Sequence, residues 1–292
     1  MSARKTILCL PAVFALLGPA VAFADAWLPQ PGEHYVEFRA AHGSASQFFD
    51  NDGNRQPYLG SAIMEDRQLV SYNEIGWKKN VSLVLAMPGR SITLRSDPLG
   101  LTRTATGFSD LLLGLRLKLL GGPTALSLQA DWKAPLGYEH TLAPILGDGQ
   151  QDIAGRLSFG TGIAARGFLE LQGGYRYRFE DPLDQIEYAA DLGFWVGSSL
   201  LIEGRYDGLS SVGEDTTFVS QGIGAFHRRA RLHAAGPRVT YRLDDRLDLF
   251  AGSRYILSAK NAHDLKEYYA GIALKKSRLN RLQGFLGGKQ GP

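Results

Sequence analysis

Charged side chains recur at alternate positions through most of this chain, and they are the groups with chemistry to offer. Arg116 and Lys118 interleave with Leu113, Leu115, Leu117 and Leu119, and Asp131 follows on the same parity after a turn. The pattern continues through Arg156, Glu170, Arg176, Arg178, Glu187, Asp191, Glu203, Arg205, Asp207 and Arg254. Arg39, Arg238, Arg242, Glu37, Asp110, Asp152, Asp248 and Glu267 stand on the same face of their own segments. Such a surface has two uses. It lines a path that selects a polar or anionic solute, or its acids and bases neutralise one another as cross-strand ion pairs. Both readings stay open on the sequence.

Other chemistry is less well served. A hydrolase needs a base beside a nucleophile or an acid pair. The six histidines, His34, His42, His140, His227, His233 and His263, fall mostly in connections or at segment ends, and Ala235 stands where a His233-x-Ser pair would need its serine. The expectation is a protein that is not an enzyme and carries no cofactor. Asp50, Asp52 and Asn54 place oxygens at alternate positions, as a calcium loop does. They lack the bidentate glutamate of an EF-hand, and Asp-Gly is common turn chemistry, so the segment reads as a turn. Gly147-Asp148-Gly149 reads the same way.

The elements that position these charges must alternate with period two, which is the signature of β-strands. From Asp110 one parity is Leu111, Leu113, Leu115, Leu117 and Leu119, and the other is Asp110, Leu112, Gly114, Arg116 and Lys118. Beyond Gly121-Gly122 the alternation resumes through Leu126, Leu128, Ala130 and Trp132. Each apolar face runs for about ten residues, enough for a tilted strand to cross the hydrocarbon core. About twelve such segments lie between His34 and Leu274, an even number, as bacterial outer-membrane barrels require. Tight turns, such as Lys78-Lys79-Asn80 and Gly197-Ser198, alternate with longer connections: Gln47 to Asp66, Asp97 to Thr106, Gly137 to Gln150 and Ser210 to Ala230. Asp181 to Asp184 is a compact exception on the long side. Closed as a simple hairpin, it sets Arg178 opposite Glu187. An irregularity is expected near Glu74, and the Gly-Ile-Gly-Ala-Phe-His-Arg-Arg stretch from Gly222 reads as a short helix across the mouth. Trp132, Tyr177, Phe179, Tyr188, Tyr206, Tyr255 and Tyr268 share the apolar parity near the long-loop ends, where an interfacial girdle belongs. Open sheet edges are not viable in lipid. The fold class is therefore all-β: a single transmembrane antiparallel up-and-down barrel, with short periplasmic turns and long extracellular loops.

The flanks agree with export. Arg4 and Lys5, the apolar run Ile7 to Leu17 and Ala22-Phe23-Ala24 form the three parts of a cleavable signal. The expected division is 1–24 signal peptide and 25–292 barrel, with a basic tail at 275–292. Cys9, the one cysteine of the sequence, leaves with the signal, so no disulfide or thiol site is expected in the mature chain. Loss of Arg4 and Lys5 lowers the net charge from +3 to +1, too balanced for nucleic-acid binding.

Six segments, spread in order over most of the mature chain, are similar to a family of Gram-negative outer-membrane barrels that includes a group named for a meta-pathway of phenol degradation. They are AWLPQPGEHYVEF from Ala26, FFDNDGNRQP from Phe48, GFSDLLLGLRLKLL from Gly107, LGDGQQD from Leu146, GYRYRFEDPLDQIEY from Gly174 and YDGLSSVG from Tyr206. The resemblance implies a channel or transporter of the cell outer membrane. Its partners would be outer-membrane lipid and lipopolysaccharide, the barrel assembly machinery and a small solute. Such barrels commonly end on an aromatic residue, and here KKSRLNRLQGFLGGKQGP follows Leu274 instead. Residues and resemblance together give passive passage of a small polar, anionic or aromatic solute. The other reading is a structural or secretion-accessory barrel, for instance one serving exopolysaccharide, with a filled lumen. A periplasmic leader at Asp25 to Gly32 and the basic tail are positioned to plug or dock.

Overall fold

Alternation forces the chain into strands, and lipid forces the strands into a ring. The computed structural model describes residues 26–138, 144–164, 166–179, 183–213, 218–220, 225–227 and 229–276. The signal segment and most of the basic tail lie outside the described residues. The wall strands are β1 (His34–Ala45), β2 (Ile63–Lys78), β3 (Val81–Ser96), β4 (Leu101–Phe108 and, after a break at Ser109, Asp110–Leu120), β5 (Thr124–Pro135) and β6 (Asp152–Ile163). They continue as β7 (Gly167–Arg178), β8 (Gln185–Val196), β9 (Leu200–Ser211), β10 (Arg231–Arg242), β11 (Leu247–Lys260) and β12 (Lys266–Lys276). Each pairs antiparallel with its sequence neighbours, and β1 pairs with β12 from His34↔Lys276 to Ser44↔Lys266, so twelve strands close into a barrel. Closure satisfies every ladder and leaves no edge in lipid.

The two parities separate as the sequence requires. Leu113, Leu115, Leu117 and Leu119 of β4 stand exposed on the outer wall, where the bilayer covers them, while Arg116 is buried inside. Trp132, Tyr177, Phe179 and Tyr268 are exposed on the outside near the long-loop ends. No helix among the described residues is long and apolar enough to cross a membrane, which says nothing of strands.

Three local features differ from the sequence reading. Asp97 to Thr106 is a tight turn followed by strand. Leu101 to Phe108 pairs with β3 from Ser96↔Leu101 to Gly89↔Phe108. Its threonines are β-branched and favour a pleated surface whatever their polarity. Ser91 and Thr106 hydroxyls meet at 2.8 Å, and Thr93 and Thr104 at 3.1 Å, so this polar hairpin extends beyond the apolar band. The second difference is at the mouth, where Ala225–His227 is a strand paired with Phe218–Ser220 rather than part of a helix. Third, the break in β4 faces Pro88, which has no N–H to donate, and Ser109 N donates to the Pro88 carbonyl at 2.9 Å. The irregularity expected near Glu74 is present, as a register shift of β2 between Gly76 and Lys78.

Candidate functional site

The lumen gathers the chain's charge, and its geometry follows from strand register. Every pore-lining residue expected from the sequence lies on the inner parity, and most are paired with one another. Arg116 is 1% exposed. Its Nε donates to Gln129 Oε1 at 2.8 Å and its Nη1 to Glu74 Oε2 at 3.1 Å. Across β5 to β8, Arg156 bridges Asp131 and Glu187, Arg176 reaches Glu187 at 2.6 Å, and Arg178 meets Asp148 at 3.3 Å and Asp152 at 3.6 Å. On the opposite wall Arg205 pairs with Asp191 at 3.1 Å, Arg254 with Asp207 at 2.5 Å, and Arg238 with Glu37 at 3.1 Å and Glu203 at 3.5 Å. Glu170 accepts the Ala26 amide at 3.1 Å. Lys118 is half-buried and forms no ion pair among the described residues. The calcium-loop candidates form a turn capped by Asp50. Its Oδ1 accepts from the Asp52 and Asn54 amides at 3.0 and 2.8 Å, and its Oδ2 from Gln56 at 3.0 Å.

One expected pair is corrected. β7 and β8 register as Arg176↔Gln185 and Gly174↔Glu187, so Arg178 is not opposite Glu187. Asp184 Oδ1 accepts the Arg178 amide at 2.9 Å, which ends the ladder two residues early and widens the connection. Other members of the network escaped the sequence reading. Arg90 clasps Asp66 with Nε to Oδ1 at 2.9 Å and Nη2 to Oδ2 at 2.6 Å. The parity of Val84 and Ala86 continues to Arg90 and signals this position. Lys133 binds Asp152 at 2.6 Å, Asp110 at 3.6 Å, and Asp148. Asp148 gave no signal, because its loop arrives in the lumen only through folding.

Chain outside the wall ladder enters the lumen from both ends. At the long-loop end, residues 144–151 fold inward. Ile145 and Leu146 are buried among Ala45, Tyr58, Ala62, Met64, Ile92 and Leu94. The Leu146 carbonyl accepts from Arg90 Nη1 at 3.1 Å and from the Ser109 hydroxyl at 2.5 Å. Burial raises the Asp148 carboxyl, but Lys133, Arg178 and Arg176 outweigh it and hold the group below the usual carboxylate range. Above this loop, Gln47–Phe49, Arg55–Pro57 and Ala262–His263 form a small sheet. There the buried His263 ring bonds the Tyr58 hydroxyl through Nδ1.

At the short-turn end the leader enters the barrel. Ala26 is fully buried, Leu28 nearly so, and Trp27 Nε1 donates to the Gly122 carbonyl at 2.9 Å. Two inward glycines make the room. A Cβ at Gly76 would lie 2.0 Å from the Gln30 carbonyl oxygen, and one at Gly160 would lie 2.6 Å from the Trp27 ring. Gly76→Ala should therefore displace the leader. Chymotryptic cleavage after Trp27 in the folded protein is expected to rise about tenfold, because proteolysis tracks the open population. Unchanged cleavage would mean the leader is held elsewhere.

An apolar outer wall around a charged interior, closed by twelve strands, defines a transmembrane β-barrel of the outer-membrane type. The chain belongs to the family described as "Putative MetA-pathway of phenol degradation", whose pattern matches residues 58–263. Among solved structures it is similar to the COG4313 outer membrane channel from Pseudomonas putida F1, with a TM-score of 0.67 and 13% identity, covering 86% of this chain and 98% of that one. It is also similar to the NanC porin, with a TM-score of 0.52 and 8% identity over 82% of this chain and 100% of that one. No curated protein matches the sequence.

Proposed function

We propose that this barrel is a passive outer-membrane channel for a small polar, anionic or aromatic solute, here in a closed state. The observation that carries the reading is what enters the two ends of the lumen. The leader and the inward loop 144–151 both lie outside the wall ladder, so opening requires no strand to leave the sheet. The similar Pseudomonas putida protein is itself described as an outer membrane channel, which supports the reading. In this proposal residues 1–24 export the chain, the assembly machinery inserts it, and lipid and lipopolysaccharide surround its apolar wall. Lys118, Asp131, Glu170, Arg176, Arg178 and the other inward charges line the path.

The dense pairing of those charges favours a second reading, a structural or secretion-accessory barrel with a permanently filled lumen. Planar-bilayer recording separates the two. The channel reading expects discrete steps with a definite ion preference. Arg176→Gln with Arg178→Gln is then expected to move the reversal potential in a salt gradient toward cations, since two fixed positive charges leave the wall. Silence across several salts, from the protein and from its Gly76→Ala variant alike, would leave the filled barrel standing.

A further inference from the structure

The outer wall is not uniform. Over β7 to β10 it carries a hollow of about 360 Å³, lined on the outward parity by Leu169, Ala190, Leu192, Gly204, Tyr206 and Ala235. Strand register explains it. Ala190 and Ala235 both stand opposite Tyr206, and Gly204 stands opposite Leu192. Small residues on three adjacent strands leave a depression that the larger ones rim, and a Cβ at Gly204 would meet nothing within 4 Å. The bilayer core offers no water to fill such a space, so its occupant is hydrocarbon.

What stands above the hollow selects among lipids. Toward the long-loop end of the same face, Arg231 and Lys260 lie directly opposite each other across β10 and β11, and both are exposed. Like charges so placed repel, and neither forms an ion pair among the described residues. Arg231 Nε donates to His233 Nε2 at 3.0 Å, and His233 Nδ1 meets the Tyr206 hydroxyl at 2.6 Å. Tyr206 stacks between the Tyr188 and His233 rings at 6.2 and 6.1 Å. This shelf steadies the arginine and leaves its terminal nitrogens for an anion, and guanidinium is suited to phosphate. Arg231 is about 14 Å along the strand from Ala235 in the hollow. A phosphomonoester carries about two negative charges at neutral pH, which match the two cations. A second copy of the chain meeting this patch about a two-fold axis would instead set cation pair against cation pair. We propose that Arg231, Lys260 and the hollow form a docking site for the lipid A part of lipopolysaccharide, with a phosphate on the cations and an acyl chain in the hollow. The site lies outside the lumen and goes beyond the channel reading.

Lipid A is the probe, added to the barrel refolded in detergent free of lipopolysaccharide, with bound lipid counted by native mass spectrometry. One lipid A per barrel is expected. Phosphatidylglycerol, whose phosphodiester carries a single charge, should bind more weakly, and inorganic phosphate, which has no chain, should not bind measurably. Arg231→Gln with Lys260→Gln should weaken lipid A at least about tenfold, the usual loss when charged hydrogen-bonding partners are removed. Gly204→Leu, which fills the hollow and leaves the cations in place, should weaken it too. Arg95→Gln, at an exposed arginine on the far side of the barrel, should bind as the parent does. Heat-modifiable migration checks that each variant is folded; if Gly204→Leu is not, Ala235→Leu carries that arm. Absent lipid A binding, or equal binding by the folded cation or hollow variants, overturns the site. A lipid-free dimer of the parent that the hollow variant dissociates, seen by sedimentation in detergent, also overturns it. Phosphatidylglycerol bound as tightly as lipid A overturns the choice of lipid. Conductance of these variants should match the parent's, so a silent barrel that binds lipid A in this way retains the site and overturns only the channel.

Discussion

Arg116→Met is expected to destabilise the folded barrel by about 3–5 kcal/mol, the cost of leaving a buried charge without its partner. Arg116 and Glu74 are both 1% exposed at the side chain and meet at 3.1 Å. Removing the guanidinium strands the Glu74 carboxylate, whose remaining contacts are hydroxyls from Ser82 at 2.5 Å and Tyr72 at 3.2 Å. Gln129, which accepts from Arg116 at 2.8 Å, loses a donor too. Urea titration of the barrel in detergent, followed by heat-modifiable migration, measures the loss. The double variant Arg116→Met with Glu74→Gln is expected to recover most of it, because no uncompensated charge then remains. If the single and double variants are equally unstable, the guanidinium matters for its packing and not for its charge.

Acid is expected to loosen the cap over the mouth. His263 is held neutral down to about pH 4, first by burial and then by Arg90, against a smaller opposing effect of Asp66. An opened cap exposes the ring to water, where it titrates at the ordinary value of about 6.5. Between those values the open state binds a proton that the closed state refuses, so closure is fully favourable above about pH 6.5 and weakens as pH falls toward 4. The full effect is about 3 kcal/mol. Hydrogen exchange at the Phe48, Phe49 and His263 amides, corrected for the intrinsic rate, is expected to lose protection across that window. His263→Gln, which has no proton to gain there, should give a flat profile. A flat profile in the parent protein would mean that the ring stays buried when the cap moves.

Much of this molecule is readable in one dimension. A period of two needs only the sequence, because successive side chains of a strand point to opposite faces whatever the fold. That is why Leu113 to Leu119 give the outer wall, Arg116 and Arg176 the inner one, and the aromatic girdle its place. An even strand count and alternating loop lengths then give the closed barrel, since lipid tolerates no open edge. Pairing is another matter. Whether Arg178 meets Glu187 or Asp148 depends on register, and register turned on one hydrogen bond from the Arg178 amide to Asp184. The Asp97 to Thr106 stretch carries no strand signal in the sequence, because threonine strands that leave the bilayer lose the apolar parity by which strands are recognised. Asp148, Leu146, Tyr58 and His263 are far apart in sequence and reach the mouth through loops, which carry no periodicity at all. What the sequence by itself determined is the wall: its strands, its two faces and its place in a membrane. Only the tertiary structure decided what fills it. Ion-pair partners and the inward leader depend on distances across the barrel, and no local pattern encodes those.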